Sequence, residues 1–140
     1  MFRRLALVVA LFFFAFPVLA QKDLKSRADA ASGGERAKLA VEYSQEVAKA
    51  ADKAFNDGKD EEGAADLNQV AQYAKLAADA SMQSGKREKD TEIKLRKLLK
   101  RLVEIKHARP FDQQADVQKI IDAVQAAHDD LLDALFKKNG

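Results

Sequence analysis

The segment between residues 86 and 109 holds the densest group of side chains that could do chemistry. It carries ten Lys and Arg residues against four acids, a net charge of +6. If the segment is helical, Lys89, Arg96 and Lys100 fall near one face, away from a row of leucines. Such a row of cations can bind phosphates, anionic lipid headgroups or an acidic polymer. The candidate residues for an anion- or partner-binding surface are Lys89, Lys94, Arg96, Lys97, Lys100 and Arg101.

The same basic segment has a second interpretation, in which its charges pair within the protein. Residues 35–84 carry a net charge of −4, and residues 111–140 carry a net charge of −3. Because residues 21–140 are neutral as a whole, we favour a basic helix that packs among acidic neighbours. Nucleic acid is not an expected partner, because no aromatic residues alternate with the basic ones to stack on bases.

The two histidines and the lack of cysteine limit the chemistry that the chain can do. Without Cys it has no thiolate metal site, no cysteine nucleophile and no covalent haem attachment. His107 ends the basic segment, where a cation suits the helix dipole. His128 shares an apolar stripe and is expected to hydrogen-bond across the core. Met82 and His128 could together ligate a haem iron, but each equally fits a core position. We therefore expect no catalytic residue, cofactor or metal ion.

The first twenty residues have the three-part layout of a secretory signal peptide. Arg3 and Arg4 provide a positive start, residues 5–16 form an unbroken apolar run, and Pro17 precedes a cleavage site after Ala20. The alternative is an uncleaved membrane anchor. The apolar stretch is shorter than the ~20 residues that span a bilayer core, which disfavours the anchor. We expect an exported bacterial protein, periplasmic or secreted.

Helix-forming and helix-ending residues alternate over the rest of the chain. Apolar residues recur at helical spacing, Gly58, Gly85 and Pro110 interrupt them, and Ser32 with Glu35 matches a capping box. Short connections imply antiparallel neighbours, so the predicted fold is all-α, an antiparallel (up-down) bundle of about four helices after the signal peptide. The predicted helices cover residues 35–56, 60–84, 87–108 and 112–137, in a bundle domain at 35–138 that follows a flexible tail at 21–34.

The first two predicted helices contain a faint internal repeat. The run from Ala50 to Gly58 is echoed 27 residues later by the run from Ala77 to Gly85, and in both an Ala-rich helix ends at glycine. This pair resembles a helical hairpin of tetratricopeptide type, although its period differs from the ~34 residues of that family. The chain as a whole resembles small exported all-helical bacterial proteins. These resemblances imply a helical scaffold and no particular activity.

The sequence supports two functional hypotheses. The leading one is a non-catalytic protein-interaction or scaffolding module, in which Tyr43, Tyr73 and Leu76 are apolar residues that face another protein. Tyr73 and Leu76 lie off the main apolar stripe of their helix, which is the reason to place them at a surface. The alternative is a protein that binds an anionic membrane surface or envelope polymer through the basic helix at 86–109. The oligomeric state is not predicted.

Overall fold

The computed structural model describes residues 19–139, and every regular element in that range is a helix. The all-α class is therefore as predicted. The last four helices lie within two residues of the predicted ranges at each end. The helices are α1 over residues 19–30, α2 over Gly33–Asn56, α3 over Asp60–Ser84, α4 over Glu88–His107 and α5 over Phe111–Asn139.

Acidic starts and glycine ends account for the boundaries of α2 and α3. α3 begins with Asp60, Glu61 and Glu62, whose negative charges stabilise the positive end of the helix dipole. Gly58 and Gly85 follow α2 and α3 with φ angles of +77° and +68°. Glycine adopts this left-handed backbone at little cost, so both helices end where the sequence predicts.

The predicted capping box at Ser32 is wrong. Ser32 occupies the N-cap position of α2, but its side chain makes no capping hydrogen bond. The next residue, Gly33, has a φ angle of +59°. Ser32 itself has the extended backbone usual for an N-cap, with φ −138° and ψ 163°, so the departure from capping-box geometry lies at the left-handed Gly33.

α2 and α3 pair in opposite chain directions. Near their shared turn, the ring of Phe55 lies against Gly63. Further along both helices, the hydroxyl of Ser44 donates to the backbone carbonyl of Val70 at 2.8 Å. Fully buried alanines line this contact and allow the two helices to approach closely; they include Ala40, Ala48, Ala51, Ala74 and Ala77.

α4 and α5 form the second antiparallel pair. Close to their turn, Lys106 Nζ donates to Gln118 at 2.7 Å. Towards the other end of the pair, His128 of α5 lies 3.0 Å from Glu92 of α4. The two contacts show that α4 and α5 run antiparallel.

The two pairs join through helices that run in the same direction. Gln113 near the start of α5 donates to Asp60 at the start of α3, and Lys138 near the end of α5 donates to the carbonyl of Gly85 just after α3. α2 and α4 also run in the same direction, because Glu42 pairs with Lys94 and Asp52 pairs with Arg101. Apolar residues of all four helices form the core between the pairs: Leu39, Val41, Val47, Leu67, Val70, Leu95, Leu98, Leu102, Ile105, Val117, Ile121, Val124 and Leu131.

Residues 19–30 form a helix, where the prediction placed a flexible tail. Ala28 is fully buried in the core. Arg36 donates to the backbone carbonyl of Asp29 at 3.0 Å, and the Asp29 carboxylate accepts a hydrogen bond from the Tyr73 hydroxyl at 2.8 Å. A polar segment with one leucine shows no apolar period, so the sequence gives no helix signal there. These tertiary contacts stabilise the helical conformation of residues 19–30.

The predicted signal peptide lies almost wholly outside the described residues, which begin at Leu19. Within residues 19–139, the structure contains no helix that is both long and apolar enough to span a bilayer.

The contact between Gly63 and Phe55 gives a test of the α2–α3 packing. A Cβ atom at position 63 would lie 2.6 Å from Cε1 of the Phe55 ring, closer than two carbon atoms approach. We expect Gly63→Ala to lower the free energy of unfolding by about 1–3 kcal/mol because the ring must move. Inside a helix the same change usually raises stability by about 1 kcal/mol. Urea denaturation measures both the sign and the size of the change.

The background variant Phe55→Leu is the control for this test. A smaller, flexible side chain leaves room for the added methyl group, so Gly63→Ala should cost much less stability there. A stabilising Gly63→Ala in the native background would contradict the close contact.

The docking of α1 through Ala28 gives a second prediction. Ala28→Glu buries an unpaired carboxylate and should detach α1, so that the amides of residues 21–30 lose their protection from hydrogen exchange. The amides of α2–α5 should keep theirs. Ala30→Glu alters an exposed position of the same helix and should leave protection unchanged. Equal effects of the two variants would contradict docking through Ala28.

Candidate functional site

The leucine row of α4 decides which of its basic residues reach solvent. Leu95 and Leu102 are fully buried, and Leu98 is 2% exposed. Because side chains around a helix are separated by about 100°, the side opposite this row faces away from the other helices. The six predicted basic residues therefore divide into those at the flank of α4 and those opposite the core.

Two of the six residues pair with acids of α2. Lys94 Nζ lies 3.9 Å from a carboxylate oxygen of Glu42 and 3.3 Å from one of Asp90. Arg101 lies 3.9 Å from Asp52. These half-buried pairs are long and add little stability, but they satisfy the charges of both basic residues within the protein. The interpretation of internal pairing is correct for this flank.

Arg96 is bound at one nitrogen and otherwise exposed. Its Nη2 donates to Glu92 at 2.9 Å, within the same helix. Its side chain nevertheless remains 65% exposed. The other guanidinium N–H groups are therefore free to bind an external acceptor.

The remaining three residues, Lys89, Lys97 and Lys100, are exposed. Within residues 19–139 they have no ion-pair or hydrogen-bond partner. Two apolar residues lie on the same side: Ile93 is half-buried and Val103 is 39% exposed. We call this surface the outer face of α4, and it consists of Lys89, Ile93, Arg96, Lys97, Lys100 and Val103.

The basic residues of the outer face of α4 are spread along the helix. At 1.5 Å per residue, Lys89 and Lys100 are separated by about 16 Å along the helix axis. The exposed carboxylate of Glu104 lies one turn beyond Lys100 and limits the basic surface at that end. This arrangement offers several separate charges and no closed cavity, which suits repeated headgroups better than one small anion.

A buried polar group holds α4 against α5. His128 Nε2 lies 3.0 Å from Glu92 Oε1, and both side chains are at least nine-tenths buried. Burial by itself would raise the pKa of Glu92. The hydrogen bonds and charges of Arg96 and His128 outweigh that effect and hold the pKa below its usual value. Glu92 is therefore ionised at neutral pH and can only accept, so His128 Nε2 donates the hydrogen bond between them. The sequence predicts such a bond across the core for His128.

Two further contacts lie at the same end of the helices. The buried hydroxyls of Ser81 and Thr91 are 2.8 Å apart and join α3 to α4. Lys138 Nζ near the end of α5 donates to the buried carboxylate of Glu88 at 2.6 Å. Together with Glu92, these groups fix the register of α4. The sequence does not predict these roles of the two glutamates, because acids within a charged segment look solvent-facing.

Tyr43, Tyr73 and Leu76 do not form the exposed apolar surface that was predicted. Tyr43 is 7% exposed and Tyr73 is 3% exposed, while Leu76 packs against the core. The two rings meet edge to face with centroids 4.6 Å apart. Burial, followed by the hydrogen bond to Asp29, raises the pKa of Tyr73. The prediction was wrong because it lacked α1, which carries Asp29 to these rings.

The remaining candidate ligands do not converge. His107 is exposed at the end of α4, and Met82 packs against the core. In the described part of the chain, no three His, Asp or Glu side chains are grouped so that they could hold a metal ion.

Comparisons of the chain with known protein families, with characterised proteins and with solved structures found no match. The resemblance to tetratricopeptide-type hairpins therefore stays a prediction. Function has to be inferred from the geometry of the chain itself.

The Glu92 carboxylate predicts a pH-dependent contribution to stability. Its folded-state pKa lies below its unfolded value, so its contribution is present above the unfolded pKa of about 4.3 and is lost as the pH falls through the folded value. Glu92→Gln should lower the free energy of unfolding by about 1–3 kcal/mol near neutral pH. The difference from the native protein should shrink in acid.

Urea denaturation at neutral and acidic pH measures this difference. Glu104→Gln removes an exposed carboxylate from the same helix and serves as the control, with little effect at either pH. A cost of Glu92→Gln that stays constant with pH would contradict a role for the charge.

Proposed function

We propose that this protein is a non-catalytic binding protein that docks on anionic phospholipid surfaces through the outer face of α4. The observation that supports this most is the exposure of Lys89, Lys97 and Lys100 without partners among residues 19–139. Because residues 21–140 carry no net charge, unpaired cations along one helix concentrate positive potential at one place. Opposite charge at a membrane surface would then orient the protein as it approaches.

The apolar residues near this surface favour a bilayer over a soluble polymer. Ile93 and Val103 lie among the lysines, and Phe111, just after α4, is 90% exposed. Apolar side chains beside cations can enter the boundary between headgroups and acyl chains. A polymer dissolved in water has no such apolar region for them to enter. The envelope polymer therefore becomes the second choice among anionic partners.

We propose further that the protein acts outside the cytoplasm. The support is the layout of residues 1–20, with a positive start, an apolar run and a small residue at the cleavage site after Ala20. An up-down bundle, as predicted from the sequence, would hold α4 rigidly and present its outer face to a bacterial membrane. The lack of cysteine means that this scaffold depends on packing and not on disulfides.

Interaction with another protein is the second candidate function. The tyrosine surface first assigned to it is buried, so a protein partner would have to use other residues. The observation that favours this candidate is Phe136, which is 68% exposed near the end of α5. A single exposed ring is weaker support than a row of unpaired cations, and we rank the hypotheses accordingly.

The three lysines of the outer face give a direct test. We expect the triple variant Lys89→Gln, Lys97→Gln and Lys100→Gln to lose about 1 kcal/mol of membrane affinity per lysine, or about a hundredfold in total. The full chain is expressed, and the purified product is sedimented with phosphatidylglycerol-containing vesicles at low and physiological salt. Native binding should weaken as salt rises.

The matched control removes three lysines that lie elsewhere. Lys59, Lys75 and Lys119 lie outside α4, are exposed and pair only with an acid three or four residues away. Changing all three to Gln gives the same net charge and should leave most of the binding intact. Equal losses in both triple variants would contradict a specific role for the outer face. Binding to soluble polyphosphate but not to vesicles would contradict the membrane as the partner.

A further inference from the structure

A groove between α3 and α5 lies on a different part of the molecule from the outer face of α4. Its volume is about 430 Å³, within the range of roughly 300–1,000 Å³ that is usual for small-ligand sites. Its floor is apolar: Leu67 is 3% exposed, Val117 is 2% exposed, and Phe55 and Ile120 complete it. A groove of this size fits a ring or a branched alkyl group and is too small for a helix.

A polar network closes one end of the groove and holds it in shape. The guanidinium of Arg109 lies 4.3 Å from the centroid of the Phe55 ring and 3.3 Å from Asp60. Its Nε and Nη2 donate to Gln113 at 3.2 and 2.9 Å, and the Gln113 amide donates in turn to Asp60 at 3.1 Å. Because the Arg109 side chain is 10% exposed, the ring beneath it is fixed before any ligand arrives.

The charge that remains at the groove is negative. Arg109 compensates Asp60, but Glu61 is exposed and has no ion-pair partner in the described part of the chain. Asp116 on the opposite helix lies 3.9 Å from Lys119, and these two side chains are 81% and 80% exposed. Water and salt screen so exposed a pair, which leaves the Asp116 carboxylate able to bind another cation.

We infer that this groove binds small amphipathic cations, molecules with an apolar body and a protonated amine. The apolar body occupies the floor formed by Phe55, Leu67 and Val117. The amine lies at the rim, where Glu61 and Asp116 approach from α3 and α5. The same rim repels a molecule of equal shape that carries a carboxylate.

This site is independent of the proposed membrane surface. It lies between α3 and α5, whereas the outer face belongs to α4, and the two have opposite charge. Failure of either proposal leaves the other unaffected. Residues 21–140, which have no net charge, would thus carry separate places for anionic and cationic partners.

The test compares two probes of equal shape and opposite charge, phenylbutylamine and phenylbutyrate. The full chain is expressed and the purified, isotope-labelled product is titrated with each probe by NMR. We expect the amine to shift the amides of Ala64, Val117 and Ile120, and to bind about tenfold more tightly than the carboxylate.

Variants separate the apolar floor from the acidic rim. Ala64 is an exposed lining residue, so Ala64→Leu fills the groove without entering the core and should abolish the shifts. The pair Glu61→Gln and Asp116→Asn should weaken amine binding about fivefold and reduce the difference between the probes. Asp130→Asn with Asp133→Asn makes the same charge change at exposed positions further along α5 and should leave binding unchanged.

Any of the following results would overturn the proposal. Equal affinities for amine and carboxylate would show a groove without charge selection. Shifts outside the groove, or no shifts at all, would show that this is not the site. An effect of the control pair as large as that of the rim pair would assign the preference to net charge alone.

Discussion

The burial of one leucine row on α4 determines how the rest of the charged surface is arranged. Leu95, Leu98 and Leu102 are exposed by 2% or less, and moving them into water would cost several kcal/mol in total. This cost fixes the rotation of α4 about its axis. Each basic residue of the helix is then placed by its angular distance from that row. Lys94 lies close to Glu42 of α2, whereas Lys97 is exposed to solvent.

The two interpretations of the basic segment therefore apply to different sides of one helix. At the flank, charges are satisfied within the protein, because α2 carries acids within reach. Lys89, Lys97 and Lys100 have no partner among residues 19–139, so these lysines keep their full charge towards solvent. Buried contacts from Glu92 to His128 and from Glu88 to Lys138 prevent α4 from turning or sliding. A fixed register is what makes the outer face one definite surface.

α1 has no helix signal in the sequence, yet it helps to determine which residues of α2 and α3 are exposed. It contributes a buried alanine, Ala28, and the carboxylate of Asp29. Asp29 binds the hydroxyl of Tyr73, and both Tyr43 and Tyr73 are buried in the folded protein. The hydroxyl of Tyr73 gains an acceptor in the process, which a buried phenol needs. Among the described residues, the surfaces that we propose for partners are the outer face of α4 and the groove between α3 and α5.

The sequence by itself determined helices α2–α5 and the apolar rows that α4 and α5 bury. Apolar residues at helical spacing, acidic starts and glycine ends are local features, and Leu95, Val117 and Leu131 are buried where that periodicity predicts. Only the tertiary structure decided which charges are paired, because an ion pair such as Arg101 with Asp52 joins residues far apart in the chain. The same holds for the burial of Tyr73 and for the groove at Phe55. Both depend on contacts between helices, and no spacing within one helix encodes them.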